Sequence, residues 1–171
     1  MRSWHIGEAA RPSRATEERF MRLALAEARQ ALEHDDVPVG AVAVCGGQVV
    51  GRAHNQRELL RDPTAHAELL ALTQAAAALG RWRLTGVTLY ATLEPCAMCA
   101  GALVLARVDR LAYGARDPKA GAVESLYRLL SDERLNHCVP SEGGLLAEEC
   151  GELLQAFFRK RRSQSAMTDD E

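Results

Sequence analysis

Two short motifs in the chain carry side chains that bind metal ions and transfer protons. Cys96 and Cys99 follow Pro95 with two residues between them, and a histidine and a glutamate, His66 and Glu68, stand earlier in the chain. Two thiolates and an imidazole are a typical ligand set for zinc. Three protein ligands leave the fourth tetrahedral position for water, as in catalytic zinc sites. The sequence therefore predicts one Zn²⁺ bound by His66, Cys96 and Cys99.

Glu68 is suited to general acid–base catalysis beside such an ion. A catalytic zinc ion lowers the pKa of its water far below that of bulk water, to about 7. A carboxylate close to that water can accept its proton and deliver it to a leaving nitrogen. We therefore predict a hydrolytic centre in which Glu68 is the catalytic residue.

Other interpretations of the cysteine pair stay open on these residues alone. A Cys-x-x-Cys pair also occurs in dithiol redox sites and in structural zinc sites, where His34, His54 or His137 can supply a fourth ligand. A redox pair has no need for the upstream His-x-Glu pattern, and the chain holds no second Cys-x-x-Cys pair to complete a zinc ribbon. The hydrolytic interpretation is the one that uses all four side chains.

The periodicity of apolar residues predicts the elements that position these side chains. Strand, helix and strand in quick succession require a parallel pair of strands. We therefore predict an α/β fold of three layers, α/β/α, with a central mixed sheet of about five strands. The first half of the chain is expected to hold a helix over about 16–33, a Gly-Gly hairpin of strands over 37–45 and 48–55, a polar loop over 57–62, and a helix that starts at 62–64 and includes His66. The second half is expected to hold a strand over 87–92, a helix over about 96–106, a strand over 110–114 and a last helix over 145–162. The side chains of the last helix expected to face the core are Leu146, Leu153, Leu154, Phe157 and Phe158.

Length and composition fit one soluble domain. The chain has 171 residues, of which 47% are hydrophobic and 26% are charged. We expect a single domain over 15–162, with disordered extensions at 1–14 and 163–171. No apolar run approaches the ~20 residues that a membrane span needs, and the first residues lack the apolar core of a signal peptide.

The cysteines favour a reducing compartment. Five cysteines are an odd number in a chain without a recognisable export signal, which argues for reduced thiols rather than disulfides. We therefore expect a cytoplasmic protein with no membrane partner. Cys45, Cys138 and Cys150 stand singly, and we expect each to be a small buried apolar residue.

The His-x-Glu and Pro-Cys-x-x-Cys motifs together resemble the signature of the cytidine/deoxycytidylate deaminase superfamily. Within it, the longer match is to the bacterial tRNA-specific adenosine deaminases, and it covers roughly residues 16–162. The similar stretches are 37–42, 62–68, 92–102, 114–117, 136–137, 157–159 and 161–162. Pro118 departs from the family pattern and is expected to stiffen its loop.

The resemblance implies a cytidine deaminase-like fold and hydrolysis of adenosine to inosine at the wobble position of a tRNA anticodon. It implies a homodimer with one Zn²⁺ per subunit and the tRNA anticodon stem-loop as partner. It further implies that Asn55 contacts the flipped nucleotide and that Asp117 and Lys119 meet the backbone or sugars of the anticodon loop. Phe158, on the last helix, is implied to shape the site.

Two other functions compete with this one. Attack on C6 of an adenine in RNA requires an unstacked base, so the RNA must offer a single-stranded loop or an extruded base. The enzymatic alternative is deamination of a free base or nucleoside, such as cytosine or guanine. The formal net charge is −2, so RNA binding needs local positive charge. The run 159–162 supplies it, although such a run also suits a solvated helix end. A zinc-stabilised RNA-binding module is the non-enzymatic alternative, and it has little use for Glu68.

Overall fold

The computed structural model describes residues 11–168, so most of the predicted extension at 1–14 and the last three residues lie outside the described part. A mixed sheet of five strands in the order β2-β1-β3-β4-β5 lies between two layers of helices, which confirms the predicted architecture. The elements are α1 (Arg14–Ala31), β1 (Gly40–Cys45), β2 (Gln48–His54), α2 (Arg57–Leu60), α3 (Ala67–Leu79), β3 (Val87–Leu93), α4 (Ala97–Leu105), β4 (Arg110–Ala115), β5 (Ser141–Glu142) and α5 (Ala147–Thr168), with single 3₁₀ turns at Leu32–His34 and Leu129–Ser131.

The predicted hairpin is present. Gly46 and Gly47 both have positive φ, 57° and 78°, which suits the two-residue turn that joins antiparallel strands with the normal twist. β1 also pairs antiparallel with β3, whereas β3 and β4 are parallel, as the strand–helix–strand order predicted. β5 is only two residues long and pairs parallel with β4, and no sequence pattern predicted it.

Each face of the sheet packs against its own helices. α1 and α5 cover one face, where Phe20, Met21 and Leu25 of α1 pack on Val42 and Tyr90. α3 and α4 cover the other face with small side chains, among them Ala71, Ala75 and Ala100. Small residues let these two helices lie close to the strands, and α3 and α4 are the helices that carry the metal-binding motifs.

The segment 57–62, predicted as a polar loop, contains the short helix α2. The buried carboxylate of Asp36 accepts hydrogen bonds from the backbone N–H groups of Glu58 (2.9 Å) and Leu59 (3.2 Å). Free N–H groups at a helix start are what a carboxylate stabilises. Because Asp36 is distant in sequence, a local reading of the segment missed this helix.

α3 begins later than predicted. Asp62-Pro63-Thr64 forms a turn, in which the Asp62 carboxylate accepts the backbone N–H and the hydroxyl of Thr64 at 2.8 and 2.7 Å. The helix starts at Ala67, and His66 is its N-cap residue rather than a residue of the first turn. The aspartate thus stabilises a turn that precedes the helix, which moves His66 to the very end of α3.

α5 differs from the prediction at both ends. It runs from Ala147 to Thr168, so residues 163–168 of the expected disordered tail are helical, and the hydroxyl of Ser163 donates to the carbonyl one turn earlier. Phe157 is buried, but Phe158 is 44% exposed and does not face the core. Adjacent helical positions point about 100° apart, so one narrow apolar stripe cannot hold both rings.

The single cysteines are not alike. Cys150 is buried as expected, Cys45 is half-buried, and Cys138 is exposed, which corrects the prediction for Cys138. Cys138 lies in the irregular segment between the second 3₁₀ turn and β5. Among residues 11–168, no helix is both long enough and apolar enough to cross a membrane.

At Gly40 the backbone of α1 lies directly against β1, which yields a stability test. A Cβ at Gly40 would lie 2.0 Å from the Ala24 carbonyl oxygen and 2.5 Å from the Ala28 nitrogen, both backbone atoms of α1. We expect Gly40→Ala to lower the free energy of unfolding by about 1–3 kcal/mol or more through overpacking. The measurement is urea unfolding at equilibrium.

Gly151 provides the matched control. It lies within α5, and a Cβ there meets nothing within 4 Å. Gly151→Ala should raise the free energy of unfolding by about 0.5–1 kcal/mol, because alanine restricts the unfolded chain and favours the helix. A Gly40→Ala protein as stable as the wild type would contradict the close packing of α1 on β1.

Candidate metal centre

The N-terminal ends of α3 and α4 meet beside the end of β3. His66 is the N-cap residue of α3 and Cys96 is the N-cap residue of α4, with Cys99 in the first turn of α4. The His66 Nδ1 atom lies 3.7 Å from the Cys96 sulfur and 3.5 Å from the Cys99 sulfur. The structure thus brings together the three side chains that the sequence predicted as ligands.

The spacing of these atoms suits a tetrahedral metal ion. All three ligand atoms lie within 4.8 Å of one another. Zinc–sulfur and zinc–nitrogen bonds of the usual lengths, at tetrahedral angles, separate a nitrogen from a sulfur by about 3.6 Å. A Zn²⁺ ion therefore fits between His66, Cys96 and Cys99 without rearrangement of the helix ends. In the described part of the chain this is the one group of His, Cys, Asp and Glu side chains close enough to hold a metal.

The environment favours a thiolate at Cys96. A hydrogen bond from Cys99, followed by one from His66, lowers the pKa of the Cys96 thiol to about 3, while burial acts in the opposite direction. The same hydrogen bond, with burial and the nearby Glu68 carboxylate, raises the pKa of Cys99. A thiolate at Cys96 is thus favoured, in part by His66, and a divalent cation would favour thiolates at both cysteines.

Glu68 lies in the first turn of α3, two residues after His66. Its side chain is 4% exposed, and burial raises the pKa of its carboxyl, while the nearby His66 acts in the opposite direction. A raised pKa is what a group needs if it is to accept and return a proton near neutral pH. Glu68 therefore combines burial beside the ligand cluster with a raised pKa.

A cavity of about 190 Å³ opens over this cluster. It joins the metal-binding end of the helices to three loops: the approach to β1, the segment after β2, and the segment after β4. Its lining includes both charged and apolar side chains, as expected for a small-molecule or nucleobase pocket. The lining residues are Val37, Val39, Asn55, Arg57, His66, Ala67, Glu68, Leu93, Glu94, Cys96, Asp117 and Ala120.

Asn55 lines this cavity and carries a buried acceptor without a partner in the described part of the chain. Asn55 is only 6% exposed, and its Nδ2 group donates to the Val37 carbonyl oxygen at 3.2 Å. Its Oδ1 atom is buried and has no hydrogen-bond partner among the described residues. A buried polar atom without a partner costs free energy, so Asn55 is suited to bind a ligand that donates a hydrogen bond.

The other predicted substrate contacts differ in their positions. Asp117 lines the cavity, and its Oδ1 atom accepts the backbone N–H groups of Lys119 and Ala120 at 2.9 and 3.2 Å. Lys119 is exposed beside the cavity and is not among its lining residues. Phe158 is not among them either, and its ring instead packs edge-on against Phe157, with centroids 5.4 Å apart. The structure thus brings Asn55 and Asp117 to the pocket and leaves Phe158 on the surface of α5.

Glu94 is the residue that our sequence analysis missed. It follows β3 directly, is 1% exposed, and lines the same cavity. Burial acts to raise the pKa of its carboxyl, but hydrogen bonds from Ser125, Glu124 and Asp117 outweigh burial and lower the pKa to about 2. The available signal was its position, between an apolar strand and Pro95-Cys96, where a side chain is expected to be buried. Acidic residues are seldom buried without a specific partner, so a glutamate at this position indicates a dedicated set of hydrogen-bond donors.

The basic run at 159–162 is divided in the structure. Arg161 donates to the Asp35 carbonyl oxygen at 3.3 Å and lies over the Phe157 ring, so it joins α5 to the end of α1. All four cations of the run are exposed. The whole run is therefore accessible to a phosphate backbone, although Arg161 also has contacts within the chain.

Comparisons with known proteins agree with this site. The model of the MafB19-like deaminase family matches residues 15–162. The chain is 51% identical over 148 residues to the tRNA-specific adenosine deaminase of Bacillus subtilis, which covers 86% of this chain and 92% of that protein. It is also similar to a structure from a study of A-to-I editing by tRNA:A34 deaminases at the wobble position of transfer RNA, with a TM-score of 0.77 and 51% identity over 80% of this chain and 99% of that one. A guanine deaminase from Bacillus subtilis is more distant, with a TM-score of 0.56 and 36% identity over 58% of this chain and 64% of that one.

The ligand cluster predicts how metal content responds to mutation. Cys99→Ala removes a buried sulfur of the cluster, so we expect at least about a tenfold loss of bound metal per chain. The measurement is elemental analysis of purified protein by mass spectrometry. Cys138→Ala is the matched control, since Cys138 is exposed and outside the cluster. Equal metal content in the two variants would contradict the assigned site.

Proposed function

Because this chain belongs to the MafB19-like deaminase family and to the tRNA-specific adenosine deaminases, hydrolases that act on a nucleobase C–N bond, we propose that it converts adenosine to inosine at the wobble position of a tRNA anticodon. We propose that the reaction is zinc-dependent, with one Zn²⁺ per subunit. The observation that carries the proposal is one cavity that is lined by His66 and Cys96 of the ligand cluster, by the buried Glu68 and by Asn55.

His66, Cys96 and Cys99 would hold the zinc ion, which supplies an activated water when bound. Glu68 accepts a proton from the attacking water as the C6–O bond forms. It then delivers a proton to the amino group as the C6–N bond breaks, so that water is consumed and ammonia leaves. The buried position of Glu68 excludes competing solvent from this transfer.

Asn55 recognises the flipped nucleotide in this proposal. The bond from Asn55 Nδ2 to the Val37 carbonyl fixes the side chain, and its Oδ1 atom is the acceptor left for the substrate. A wobble adenine must leave the anticodon stack to reach the cavity, because its C6 is inaccessible while stacked. The tRNA anticodon stem-loop, already single-stranded at its tip, is therefore the proposed partner.

The remaining RNA contacts are proposed on the rim of the cavity. Asp117 keeps one carboxylate oxygen for a ribose hydroxyl after its other oxygen has bound the N–H groups of Lys119 and Ala120. The exposed Lys119 side chain lies beside the cavity, where it can meet a phosphate. Phe158 is exposed on α5 and can stack against RNA outside the cavity rather than shape its lining.

We also propose a homodimer in the cytoplasm, where tRNA is available. Several large apolar side chains are exposed on the described surface, and contact with a second copy would cover apolar area of this kind. They are Leu59 and Leu60 of α2, Leu105 at the end of α4, and Leu126 and Tyr127. Sedimentation velocity of the purified protein tests the dimer.

Deamination of a free base is the second candidate, supported by the similarity to the Bacillus subtilis guanine deaminase. Ammonia release separates the two functions. The proposed function predicts release from a tRNA or an anticodon stem-loop with a wobble adenosine and none from guanine, cytosine or their nucleosides. Release from guanine without inosine in the tRNA would reverse the order of the candidates.

Glu68→Gln tests the proton-transfer role. Glutamine has the shape of glutamate but cannot accept a proton at neutral pH, so A-to-I conversion should fall by about 10²–10⁴-fold. Zinc content should stay at the wild-type value, since Glu68 is not among the ligands. Conversion is measured by sequencing the treated tRNA, in which inosine is read as guanosine.

Glu33→Gln is the matched control for this test. Glu33 is exposed in the 3₁₀ turn after α1 and lies outside the cavity, so the substitution should leave conversion unchanged. A Glu68→Gln enzyme with full activity would remove Glu68 from the mechanism.

Asn55→Ala tests recognition of the base. Loss of the buried acceptor should lower kcat/KM for the stem-loop by about tenfold, the effect of one hydrogen bond. Urea unfolding of the same variant separates this effect from loss of the Asn55–Val37 contact. Gln48→Ala, an exposed change at the start of β2, serves as the control. Unchanged kcat/KM in Asn55→Ala would refute the assigned role.

A further inference from the structure

Glu94 accepts hydrogen bonds from both ends of a single loop. We name residues 117–125 the rim loop, because it contributes Asp117 and Ala120 to the cavity. One carboxylate oxygen of Glu94 accepts the backbone N–H groups of Val123 (3.2 Å), Glu124 (2.8 Å) and Ser125 (2.9 Å). The other accepts the N–H group of Asp117 at 3.0 Å and the hydroxyl of Ser125.

The rim loop closes tightly over this carboxylate. A Cβ at Gly121 would lie 2.4 Å from the carboxyl carbon of Glu94 and 2.6 Å from the Asp117 carbonyl oxygen. Only hydrogen at this position allows the loop to pass so close, and Gly121 is buried. The carboxylate therefore occupies the centre of the loop and fixes its two ends at one point.

The segment that carries Glu94 also leads into the metal-binding helix. The Ala122 N–H group donates to the Pro95 carbonyl oxygen at 2.8 Å, and Gly121 forms a β-bridge with Cys96. Residues 94–96 thus contact the rim loop on one side and provide the Cys96 ligand on the other. These contacts fix the position of the rim loop relative to the ligand cluster.

Glutamate is the side chain that satisfies these donors. Five donors converge on its two oxygens, and charge-assisted bonds of this kind are stronger than neutral ones. A glutamine would offer one oxygen, and its NH₂ group would face N–H or O–H donors in place of the other. This array of donors therefore requires a carboxylate. Among the described residues, Glu94 forms no hydrogen bond to the side chains of His66, Cys96 or Cys99.

We propose that Glu94 is a positioning residue for RNA binding, which holds the rim loop so that Asp117 and Lys119 face the bound anticodon loop. The inference rests on the proposed function, since it assigns the rim loop to the RNA substrate. Glu94 acts through the loop and not on the reacting atoms. It therefore governs how well RNA binds more than how fast the bound adenosine reacts.

The test uses Glu94→Gln, with Gly121→Ala as an independent variant that displaces the loop and leaves the carboxylate intact. Hydrogen exchange of the zinc-loaded full chain, followed by mass spectrometry, should show exchange in peptides over 117–125 at least about tenfold faster in both variants. Peptides from α3 and α4 should be unchanged, and so should the zinc content. This measurement needs no substrate.

Kinetics on a wobble-adenosine stem-loop provide the second readout. In both variants KM should rise about tenfold while kcat stays within about threefold of the wild type, as expected for lost binding rather than lost chemistry. Ser131→Ala is the matched control, because Ser131 is exposed and lies outside both the rim loop and the lining of the cavity. It should stay within about threefold in both KM and exchange.

The outcomes separate this inference from the proposed function. Unchanged exchange over 117–125 in both variants, or a loss of zinc that parallels the loss of activity, overturns the role of Glu94. A fall in kcat at constant KM overturns it as well, since that result places Glu94 in the chemistry. A wild-type protein that forms no inosine overturns the proposed function, whereas the exchange result still decides whether Glu94 holds the loop.

Discussion

The structure depends on the meeting of two helix N-termini at one end of the sheet. N-cap positions usually carry serine, threonine, aspartate or asparagine, whose side chains bond to free N–H groups. Here His66 and Cys96 occupy the N-caps of α3 and α4, and neither forms a side-chain capping bond. Both helices give up that stabilisation, about 1 kcal/mol each, and present their ligating atoms to one point. The positive ends of the two helices also favour thiolates there. The sheet, the short connections and the small side chains under α3 and α4 all serve to hold this arrangement.

Several acidic side chains are buried, and they differ in the partners that their carboxylates contact. Glu17 contacts Arg110 at 2.6 Å, and Asp36 accepts two N–H groups of α2, so both stabilise packing of distant segments. Glu94 stabilises the rim loop in the same manner. Glu68 differs from Glu94, because burial raises its pKa whereas hydrogen bonds lower that of Glu94. Buried carboxylates with many donors thus support the packing of distant segments, whereas Glu68 combines burial with a raised pKa, as the proposed proton transfer requires.

Much of the fold followed from the sequence, because local patterns determined it. The Gly-Gly hairpin, the parallel pair β3–β4 and the three-layer order were predicted from periodicity and turn residues alone. The ligand spacing was recognised in the same way. Two of the failures depended on partners far away in the sequence: α2 exists because Asp36 caps it, and the two-residue strand β5 forms only by pairing with β4. Glu94 was missed for the same reason, since its donors lie some thirty residues further along the chain. The late start of α3 instead reflects a local turn at Asp62. Phe158 was predicted to face the core because the sequence of the adjacent pair Phe157-Phe158 does not show which of the two rings points to solvent.

The rim loop has a consequence for the design of new specificity. Loops that contact substrate are natural targets for exchange between relatives, and their side chains are usually the focus of such work. Here the loop is held through its backbone, by a residue outside its own sequence. A transplanted segment will therefore fit only if its length preserves the converging N–H groups, it carries glycine at position 121, and the recipient keeps glutamate at position 94. Exposed side chains of the loop, such as Lys119, are free to vary within that frame.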